Sequence, residues 1–302
     1  MTASRPDHNT VSVPIPVGIV GVGNMGGAMA GRLLELGWTV RVCDLVDARV
    51  QPLQALGAVA CANGAAVADG AGAVIVAVVD AAQTREVLFG AGGVAEGLAA
   101  GAAVLLCPTI GADDVVRIGL RLQERGLTVI DAPMSGGPAR AREGSMSLMV
   151  ACSDPVFSAH QPLLRALSSR VFRVGSRLGD GARTKLVNNL LAGTNLVAAC
   201  EALALAQAWG LDLSVTLDVI EQSSGQSWIG GDRLRRVLAG DAAPRAHLSL
   251  LAKDTRLAME GATSSGFHGP LGAAVASVFA RACDDGLAGE DDSVLFRHIA
   301  KS

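Results

Sequence analysis

The sequence predicts an α/β protein with an N-terminal doubly wound parallel sheet and an all-α C-terminal domain, joined by a long interdomain helix. From residue 17 onward, short Val- and Ile-rich runs alternate with longer helical segments, as strand–helix–strand crossovers do. After Gly175 these runs end, and apolar residues recur at helical spacing. A chain of 302 residues is long enough for two such domains.

Five segments of the N-terminal part are predicted strands. A strand buried on both faces of a parallel sheet is continuously apolar, and the run Ala73–Val79 has this character. The predicted strands are Val17–Val20, Thr39–Cys43, Ala73–Val78, Ala103–Leu106 and Thr128–Asp131.

The C-terminal part is predicted to consist of helices. The segment Asp180–Trp209 contains no proline, and as one helix it would be about 43 Å long at 1.5 Å per residue, enough to belong to two domains. Further helices are predicted at Asp212–Ser223, Gly231–Leu238, Leu248–Ser265 and Pro270–Cys283. The predicted boundaries are a flexible leader at 1–15, the α/β domain at 16–178, and the all-helical domain at 179–302, with the interdomain helix at 179–209.

Composition narrows the function classes. Half of the residues are hydrophobic and the net charge is −3, without the basic excess typical of nucleic-acid binding. The longest apolar run, Ala71–Val79, is shorter than the roughly 20 residues of a membrane span, and the first fifteen residues lack the apolar core of a secretory signal. We therefore expect a cytoplasmic protein with no nucleic-acid or membrane partner. The six cysteines form no Cys-x-x-Cys pair and the five histidines no i,i+4 pair, so no metal site is predicted.

A glycine-rich loop follows the first predicted strand and precedes a helical run. In Gly21-Val22-Gly23-Asn24-Met25-Gly26, the first glycine permits a tight turn and the second lets the backbone approach a pyrophosphate. The third glycine allows close packing of helix on strand. A second, relaxed match begins at Gly90 but follows the helix-like stretch Gln83–Phe89. The first loop, including Asn24 and Met25, is therefore the predicted dinucleotide site.

Asp44 lies eighteen residues beyond Gly26, at the end of the second predicted strand. An acidic residue at about this offset accepts hydrogen bonds from the adenosine ribose and repels a 2′-phosphate, which favours NAD over NADP. The alternative is a solvated aspartate at a strand end, and Arg49 could reach a phosphate.

Two lysines stand out because the chain has 22 Arg and only three Lys. Arginine does not give up a proton in a protein, whereas a desolvated lysine can. Lys185 and Lys253 lie among apolar neighbours, while Lys301 is next to the C-terminus. Proton transfer is therefore predicted for the first two positions, with chance retention on a surface as the alternative.

Lys185 lies four residues before Asn189, so both side chains share one helix face. Moving a hydride to or from a carbinol carbon needs a matching proton transfer at its oxygen, and Asn189 can orient the lysine or the substrate. A structural hydrogen bond is the alternative role for this asparagine. The turn Ser135-Gly136-Gly137 offers a hydroxyl and unhindered N–H groups to a carboxylate, although a plain turn would have the same sequence.

Four blocks resemble the β-hydroxyacid dehydrogenase family, which includes 3-hydroxyisobutyrate dehydrogenase: residues 18–37, 131–150, 181–193 and 250–262. The resemblance extends from Val17 to about Asp292. It implies a Rossmann-type first domain, a catalytic Lys185, and a substrate held by Asn189 and the Ser135-Gly136-Gly137 turn. The remaining residues it assigns to cofactor binding are Val79, Thr109, Lys253 and Asp254. Pro108 stands where the family commonly has serine, which leaves the local contacts of Thr109 open.

The stretch from Ser227 to Pro244 is most similar to the L-threonate dehydrogenase branch. This similarity places Trp228 and Arg233 on the substrate side and favours four-carbon sugar acids. Gly230 and Gly231 depart from the branch, which tends to be bulkier and more polar there.

The sequence thus predicts an NAD-dependent oxidoreductase acting on a small hydroxy acid such as 3-hydroxyisobutyrate, glycerate or threonate, with Lys185 as general acid and base. The resemblance also implies a homo-oligomer, a dimer or tetramer built through the helical domain. Two alternatives remain. Imine reductases share the architecture but usually replace the catalytic lysine, and a non-catalytic dinucleotide-binding sensor would have no need of Lys185 with Asn189.

Overall fold

Nine strands form one sheet in the described N-terminal part of the chain. The computed structural model describes residues 16–241 and 243–301, so the predicted leader lies outside the described residues. The strands are β1 Val17–Val20, β2 Val40–Cys43, β3 Val59–Ala60, β4 Ala73–Val76, β5 Ala103–Leu106, β6 Thr128–Asp131, β7 Met134–Ser135, β8 Ser147–Ala151 and β9 Arg170–Gly175.

The strand order is β3-β2-β1-β4-β5-β6-β8-β7, with β9 paired to β8. Strands β1 to β6 are parallel, β8 is antiparallel to β6 and β7, and β9 is parallel to β8. The direction of winding reverses between β1 and β4. In open α/β sheets, ligands bind at the carboxyl ends of the strands beside such a reversal.

Helices cover both faces of this sheet. They are α1 Asn24–Glu35, α2 Asp47–Ala55, α3 Gly64–Ala68, α4 Ala81–Phe89, α5 Val94–Gly97, α6 Ala112–Gln123, α7 Gly137–Glu143 and α8 Asp154–Leu167. Alternate residues of β4 belong to two different cores: Ile75 packs in one, and Val74 and Val76 pack in the other. Burial on both faces accounts for the continuous apolar character of this strand.

The rest of the described chain is helical. Its elements are α9 Asp180–Ala208, α10 Leu213–Glu221, α11 Trp228–Leu238, α12 Leu248–Ser264, α13 Pro270–Ala282, a π-type turn at Cys283–Leu287, a 3-10 turn at Asp292–Val294, and α14 Leu295–Ile299. A third core joins α9 to these helices through residues such as Leu196, Cys200 and Phe279. The fold class is the predicted one, whereas the boundary at residues 178 and 179 stays a prediction.

The N-terminus of helix α9 contacts the last residue of β6, Asp131, although the two are far apart in the chain. The Asp131 carboxylate accepts hydrogen bonds from the backbone N–H groups of Gly179, Gly181 and Ala182, at 2.9, 2.9 and 3.2 Å. A side chain at Gly181 would collide with this carboxylate. Ala182 packs in a core of the sheet, whereas Leu196 packs in the helical core. The long helix therefore contributes to both parts of the molecule.

Helix α9 is the one described helix long and apolar enough to cross a membrane, with a mean hydropathy of 1.4 over its 18-residue window. Helices in the cores of water-soluble proteins meet the same criterion, and α9 supplies residues to two cores. Its hydropathy therefore does not assign it to a membrane.

Sequence prediction located five of the nine strands and missed the other four. The predicted second strand starts one residue later, at Val40, and the third ends two residues earlier, at Val76. β3 has two residues, both exposed, and β7 also has two. Three of the six residues of β9 are exposed and none is fully buried, so that strand lacks the buried apolar run on which the prediction relied.

Candidate active site

The glycine loop connects β1 to α1 and has the geometry that a pyrophosphate site requires. Gly21 has a φ of +85°, and a Cβ there would lie 2.9 Å from the Ala77 carbonyl oxygen. A Cβ at Gly26 would lie 1.9 Å from the Gly21 carbonyl oxygen, so only glycine allows this helix to start so close to the loop.

Gly23 differs from both, because a Cβ at this position would meet nothing within 4 Å. It is the N-cap of α1, which has no side-chain cap and no acidic residue in its first turn. The backbone N–H groups at a helix N-terminus attract anions. The open space beside Gly23, Asn24 and Met25 therefore fits a dinucleotide pyrophosphate.

Asp44, one residue after β2, lies beside this loop. Its Oδ2 accepts a hydrogen bond from the Val22 N–H at 2.8 Å, and its Oδ1 accepts from the Val46 N–H at 3.0 Å. The Arg49 guanidinium lies 3.3 Å from the same Oδ1. The carboxylate is thus fixed beside the glycine loop, and its contact with an adenosine ribose stays a prediction.

Two further predicted cofactor residues lie at the carboxyl ends of central strands. Val79, three residues after β4, is half exposed, and its N–H donates to Gln83 Oε1 at 3.1 Å. Thr109 follows β5, and its carbonyl oxygen accepts a hydrogen bond from Lys253 Nζ at 2.5 Å. Lys253 belongs to α12, so this bond joins the sheet to the helical part.

A chain of hydrogen bonds continues from Lys253 to the middle of α9. Lys253 Nζ also lies 2.6 Å from Asp254 Oδ1, while Asp254 Oδ2 accepts from Asn189 Nδ2 at 2.6 Å. Asn189 Oδ1 in turn accepts from Asn188 Nδ2 at 3.0 Å. Asp254 therefore holds both Lys253 and Asn189. The structure thus brings together two predicted residues that lie far apart in the chain.

Lys185 lies one helical turn before Asn189 and is 7% exposed. Burial lowers the pKa of its ammonium from 10.5 to about 8. The nearby Asp254 carboxylate opposes this shift and the Lys253 ammonium reinforces it. Among the described residues none accepts a hydrogen bond from Lys185 Nζ. At pH 7 such an amine is neutral roughly 300 times more often than a lysine of pKa 10.5, which suits it to proton exchange.

The Ser135-Gly136-Gly137 turn begins at the last residue of β7 and leads into α7. Gly136 and Gly137 have φ values of +128° and +75°, a region of backbone conformation that side chains rarely adopt. All three residues are partly buried. The turn therefore has both the backbone geometry and the accessibility that a carboxylate cradle needs.

Trp228 and Arg233, the two residues placed on the substrate side, have different surroundings. Trp228 begins α11 and is 57% exposed. Arg233 Nε and Nη2 bind Asp292 at 2.5 and 3.1 Å, and its Nη1 lies 2.6 Å from Asp232. The charge of Arg233 is thus compensated by two carboxylates, so this guanidinium is less available to a substrate carboxylate than an unpaired one. Its predicted place on the substrate side stays a prediction.

Sequence analysis did not single out two residues that the structure brings to this region. Asp131 anchors the start of α9, as described above. Arg140, in α7, lies with its guanidinium carbon 5.1 Å from the centre of the Trp228 ring. Asp131 could have been recognised from the sequence, because it is a charged residue at the end of a predicted buried strand. Arg140 could not, because nothing distinguishes it in a chain with 22 arginines.

Comparison with known protein families gives two adjacent matches. Residues 16–175 match the family model of the NAD binding domain of 6-phosphogluconate dehydrogenase. Residues 179–299 match the model described as the NAD-binding domain of NADP-dependent 3-hydroxyisobutyrate dehydrogenase. Together the two models cover nearly the whole described chain.

Individual proteins are similar over nearly the full length. The chain is 37% identical to an L-threonate dehydrogenase of Cupriavidus necator, over 93% of this chain and 95% of that protein. A crystal structure of 3-hydroxyisobutyrate dehydrogenase from Salmonella typhimurium is 36% identical, with a TM-score of 0.88 over 94% of this chain and 99% of that one. An imine reductase from Myxococcus stipitatus, 20% identical with a TM-score of 0.64 over 94% and 98% of the two chains, shares the fold alone.

Proposed function

The chain belongs to the β-hydroxyacid dehydrogenase family and is an NAD-dependent oxidoreductase of hydroxy acids, and from this premise we propose that Lys185 is its general acid and base and a four-carbon sugar acid its substrate. The observation that carries the proposal is the hydrogen-bonded series Thr109, Lys253, Asp254 and Asn189 beside a buried Lys185. It connects the end of a sheet strand, where a dinucleotide binds, to the helix that holds the lysine.

When bound, NAD supplies the hydride acceptor for oxidation, and its reduced form supplies the donor for the reverse reaction. The protein supplies the proton transfer. In oxidation, the neutral amine of Lys185 takes the proton of the substrate hydroxyl, and in reduction its ammonium returns a proton to the carbonyl oxygen. Asn189, held by Asp254 at 2.6 Å, orients the hydroxyl, since its second amide hydrogen remains available.

The substrate carboxylate is proposed to bind the Ser135-Gly136-Gly137 turn. The Ser135 hydroxyl and the free N–H groups of a turn with positive φ angles can donate several hydrogen bonds to one anion. Trp228 is proposed as an apolar wall of the substrate cleft. Arg233, being paired with Asp292 and Asp232, is proposed to support Trp228 from 5.9 Å rather than to bind the acid directly.

A preference for NAD over NADP is proposed from Asp44. Its carboxylate is held beside the glycine loop by Val22 and Val46, where it would repel a 2′-phosphate. Arg49 lies 3.3 Å from it and provides a cation for the phosphate once the carboxylate is removed. Asp44→Ala is therefore expected to relax the preference, measured as the ratio of kcat/KM with NAD to kcat/KM with NADP. An unchanged ratio would refute the assignment.

A homo-oligomer built through the helical part and a cytoplasmic location complete the proposal. The exposed apolar face of α9, with Val187 at 70% and Leu191 at 61% exposure, supports an assembly of this kind.

The proposal is tested by a substrate panel. The enzyme is incubated with NAD and 3-hydroxyisobutyrate, glycerate, L-threonate or L-serine, and formation of reduced nicotinamide is followed by absorbance. We expect activity with at least one hydroxy acid and the highest kcat/KM with L-threonate. A higher kcat/KM with 3-hydroxyisobutyrate would overturn the substrate assignment, while no turnover across the panel would favour the non-catalytic alternative.

A further inference from the structure

Arg140 differs from the other arginines that contact Trp228 or line the same cavity as this ring. Arg233 is paired with Asp292 and Asp232, Arg235 with Asp218 and Glu221, and Arg236 with Asp291. The Arg140 guanidinium forms no ion pair and no side-chain hydrogen bond with any residue that the structure describes. It is partly buried, so its charge is neither compensated by the protein nor fully dispersed in solvent.

The stem of Arg140 crosses the turn proposed to hold the substrate carboxylate. A Cβ built on Gly136 would lie 3.0 Å from Arg140 Cδ and 3.3 Å from Arg140 Cβ. The side chain therefore covers Gly136 and carries its guanidinium beyond the turn, toward α11. This path places a cation beside the proposed carboxylate site.

Trp228 keeps the guanidinium in this position. The distance of 5.1 Å from Arg140 Cζ to the ring centre is within the roughly 6 Å of a cation–π contact. The indole N–H is a donor only, so the ring gives the guanidinium N–H groups no nitrogen or oxygen acceptor, and they stay available to a ligand. Arg140 belongs to α7 in the sheet part and Trp228 to α11 in the helical part. A ligand oxygen beside the guanidinium would meet donors that no protein group in the described part of the chain occupies.

We propose that Arg140, positioned by Trp228, is the specificity-determining residue that selects acids with further hydroxyl groups beyond the reacting carbinol. This inference rests on the proposed function, because it takes Ser135-Gly136-Gly137 as the carboxylate site and Lys185 as the proton-transfer group. With those two ends of the substrate bound, the free donors of Arg140 contact the remaining oxygens of a four-carbon sugar acid.

The same arrangement disfavours acids with an apolar substituent. A methyl group in this position cannot accept a hydrogen bond. Binding would therefore displace the water that hydrates the Arg140 guanidinium without replacing its hydrogen bonds. Sites built to hydrogen-bond a hydroxyl discriminate strongly against substrates that lack it. Arg140 thus accounts for a preference for L-threonate over 3-hydroxyisobutyrate, although both acids would use the same catalytic residues.

The test compares these two acids in charge-removing and control variants. Arg140→Met keeps a long stem over Gly136 but removes every donor, while Arg140→Lys keeps the charge with fewer donors. The matched control is Arg121→Met, because Arg121 also stacks on an aromatic ring, 4.0 Å from the centre of Phe89, away from the turn. kcat and KM are measured for both acids, together with the Kd of NAD and the melting temperature.

For Arg140→Met we expect kcat/KM for L-threonate to fall roughly 10- to 100-fold, the range expected for a lost hydrogen bond to a charged group. Most of the fall should be in KM. The value for 3-hydroxyisobutyrate should change less than about 3-fold, with Arg140→Lys intermediate and Arg121→Met unchanged. The Kd of NAD and the melting temperature should be those of the wild type, which a merely structural role for Arg140 does not predict.

If Arg140→Met lowers kcat/KM equally for both acids, or for neither, the role of Arg140 is overturned. The proposed function stands in that case as long as the wild type oxidises hydroxy acids. A wild type silent on every acid would overturn the proposed function itself and Arg140's role with it. The positioning role of Trp228 is tested by Trp228→Leu. In the double variant Trp228→Leu and Arg140→Met, the ratio of kcat/KM for L-threonate to kcat/KM for 3-hydroxyisobutyrate should be no lower than in Arg140→Met alone. Additive losses of this ratio would contradict the positioning role of Trp228.

Discussion

Asp254 is the carboxylate on which the charges of the site depend. It lies 2.6 Å from both Lys253 Nζ and Asn189 Nδ2, and it raises the pKa of Lys185 against the stronger effect of burial. One side chain therefore fixes the lysine proposed to contact the cofactor and the amide proposed to contact the substrate, and it raises the pKa of the lysine proposed to move the proton.

Replacing this carboxylate should shift the pH profile of the reaction. The pKa of Lys185 is lowered by burial to about 8, with Asp254 opposing and Lys253 reinforcing the shift. Asp254→Asn removes the opposing charge and leaves the Lys253 cation unpaired, so the pKa of Lys185 should fall further. Because the proposed mechanism of oxidation needs the neutral amine of Lys185, the rise of kcat/KM with pH should move to a pH lower by roughly one unit.

The measurement is kcat/KM for hydroxy-acid oxidation between pH 6 and 10 at saturating NAD. Asp254→Glu keeps the charge and is the matched control, so its inflection should stay near that of the wild type. An inflection that stays in place or rises in Asp254→Asn would contradict the electrostatic role of this carboxylate.

Candidate side chains could be singled out from the sequence where their residue type was informative. Lys185 and Lys253 stood out in a chain that otherwise uses arginine, and the spacing of Lys185 and Asn189 placed them on one helix face. The contacts of Arg140 and Arg233 were not predictable, because their partners Trp228 and Asp292 are distant in sequence. A residue type does not reveal whether a distant carboxylate compensates its charge.

At the scale of elements, the start of α9 depends on Asp131. This residue is 1% exposed and accepts three backbone hydrogen bonds. Asp131→Ala leaves three buried donors without partners, which should lower the free energy of unfolding by about 2–4 kcal/mol. Asp131→Asn keeps an acceptor oxygen and should cost less. Chemical denaturation of both variants measures the difference, and equal stability of Asp131→Ala and the wild type would show that the contact is unimportant.

The same residue gives stability a dependence on pH. Burial raises the pKa of Asp131 to about 6 from 3.8, although three backbone hydrogen bonds lower it. Between these values the folded protein binds more protons than the unfolded chain, so this group makes the protein less stable as pH rises from about 4 to 6. Asp131→Asn should remove that contribution, and a slope over this pH range that is unchanged in the variant would contradict it.

The elements themselves were predictable to different degrees. Buried central strands such as β4 and β5 have an apolar run that sequence alone reveals. β7 to β9 were missed because two residues are too few for a pattern in β7 and because β9 is an edge strand with exposed Arg170. β8 was missed although Ser147–Ala151 contains an apolar run and is almost entirely buried, because it follows a glycine-rich turn and a short helix that resemble a loop.

At the scale of the whole molecule, the sheet and the helical part meet at the site. Lys253 reaches from α12 to Thr109, and Arg140 reaches from α7 to Trp228. The two parts were predictable because the short Val- and Ile-rich runs end after Gly175 and apolar residues then recur at helical spacing. The contacts between them were not, because they depend on how α12 and α11 are placed against the sheet.

Assembly is the second property at this scale. We expect a single homo-oligomeric species in sedimentation experiments, because association removes the exposed Val187 and Leu191 side chains of α9 from water. Replacing both by Glu should yield monomers, whereas Leu120→Glu, at a half-exposed apolar position on α6, should leave the assembly unchanged. A wild type that sediments as a monomer would contradict the proposal.

The central claim is that the buried amine of Lys185 exchanges a proton with the substrate oxygen. It is tested most directly by the turnover of Lys185→Ala with the best hydroxy acid of the panel, beside Lys301→Ala, which removes an exposed lysine. We predict a fall in kcat of about 10²- to 10⁴-fold for Lys185→Ala, the usual contribution of general acid–base catalysis, with the Kd of NAD nearly unchanged and Lys301→Ala fully active. Near-normal turnover in Lys185→Ala would contradict the account.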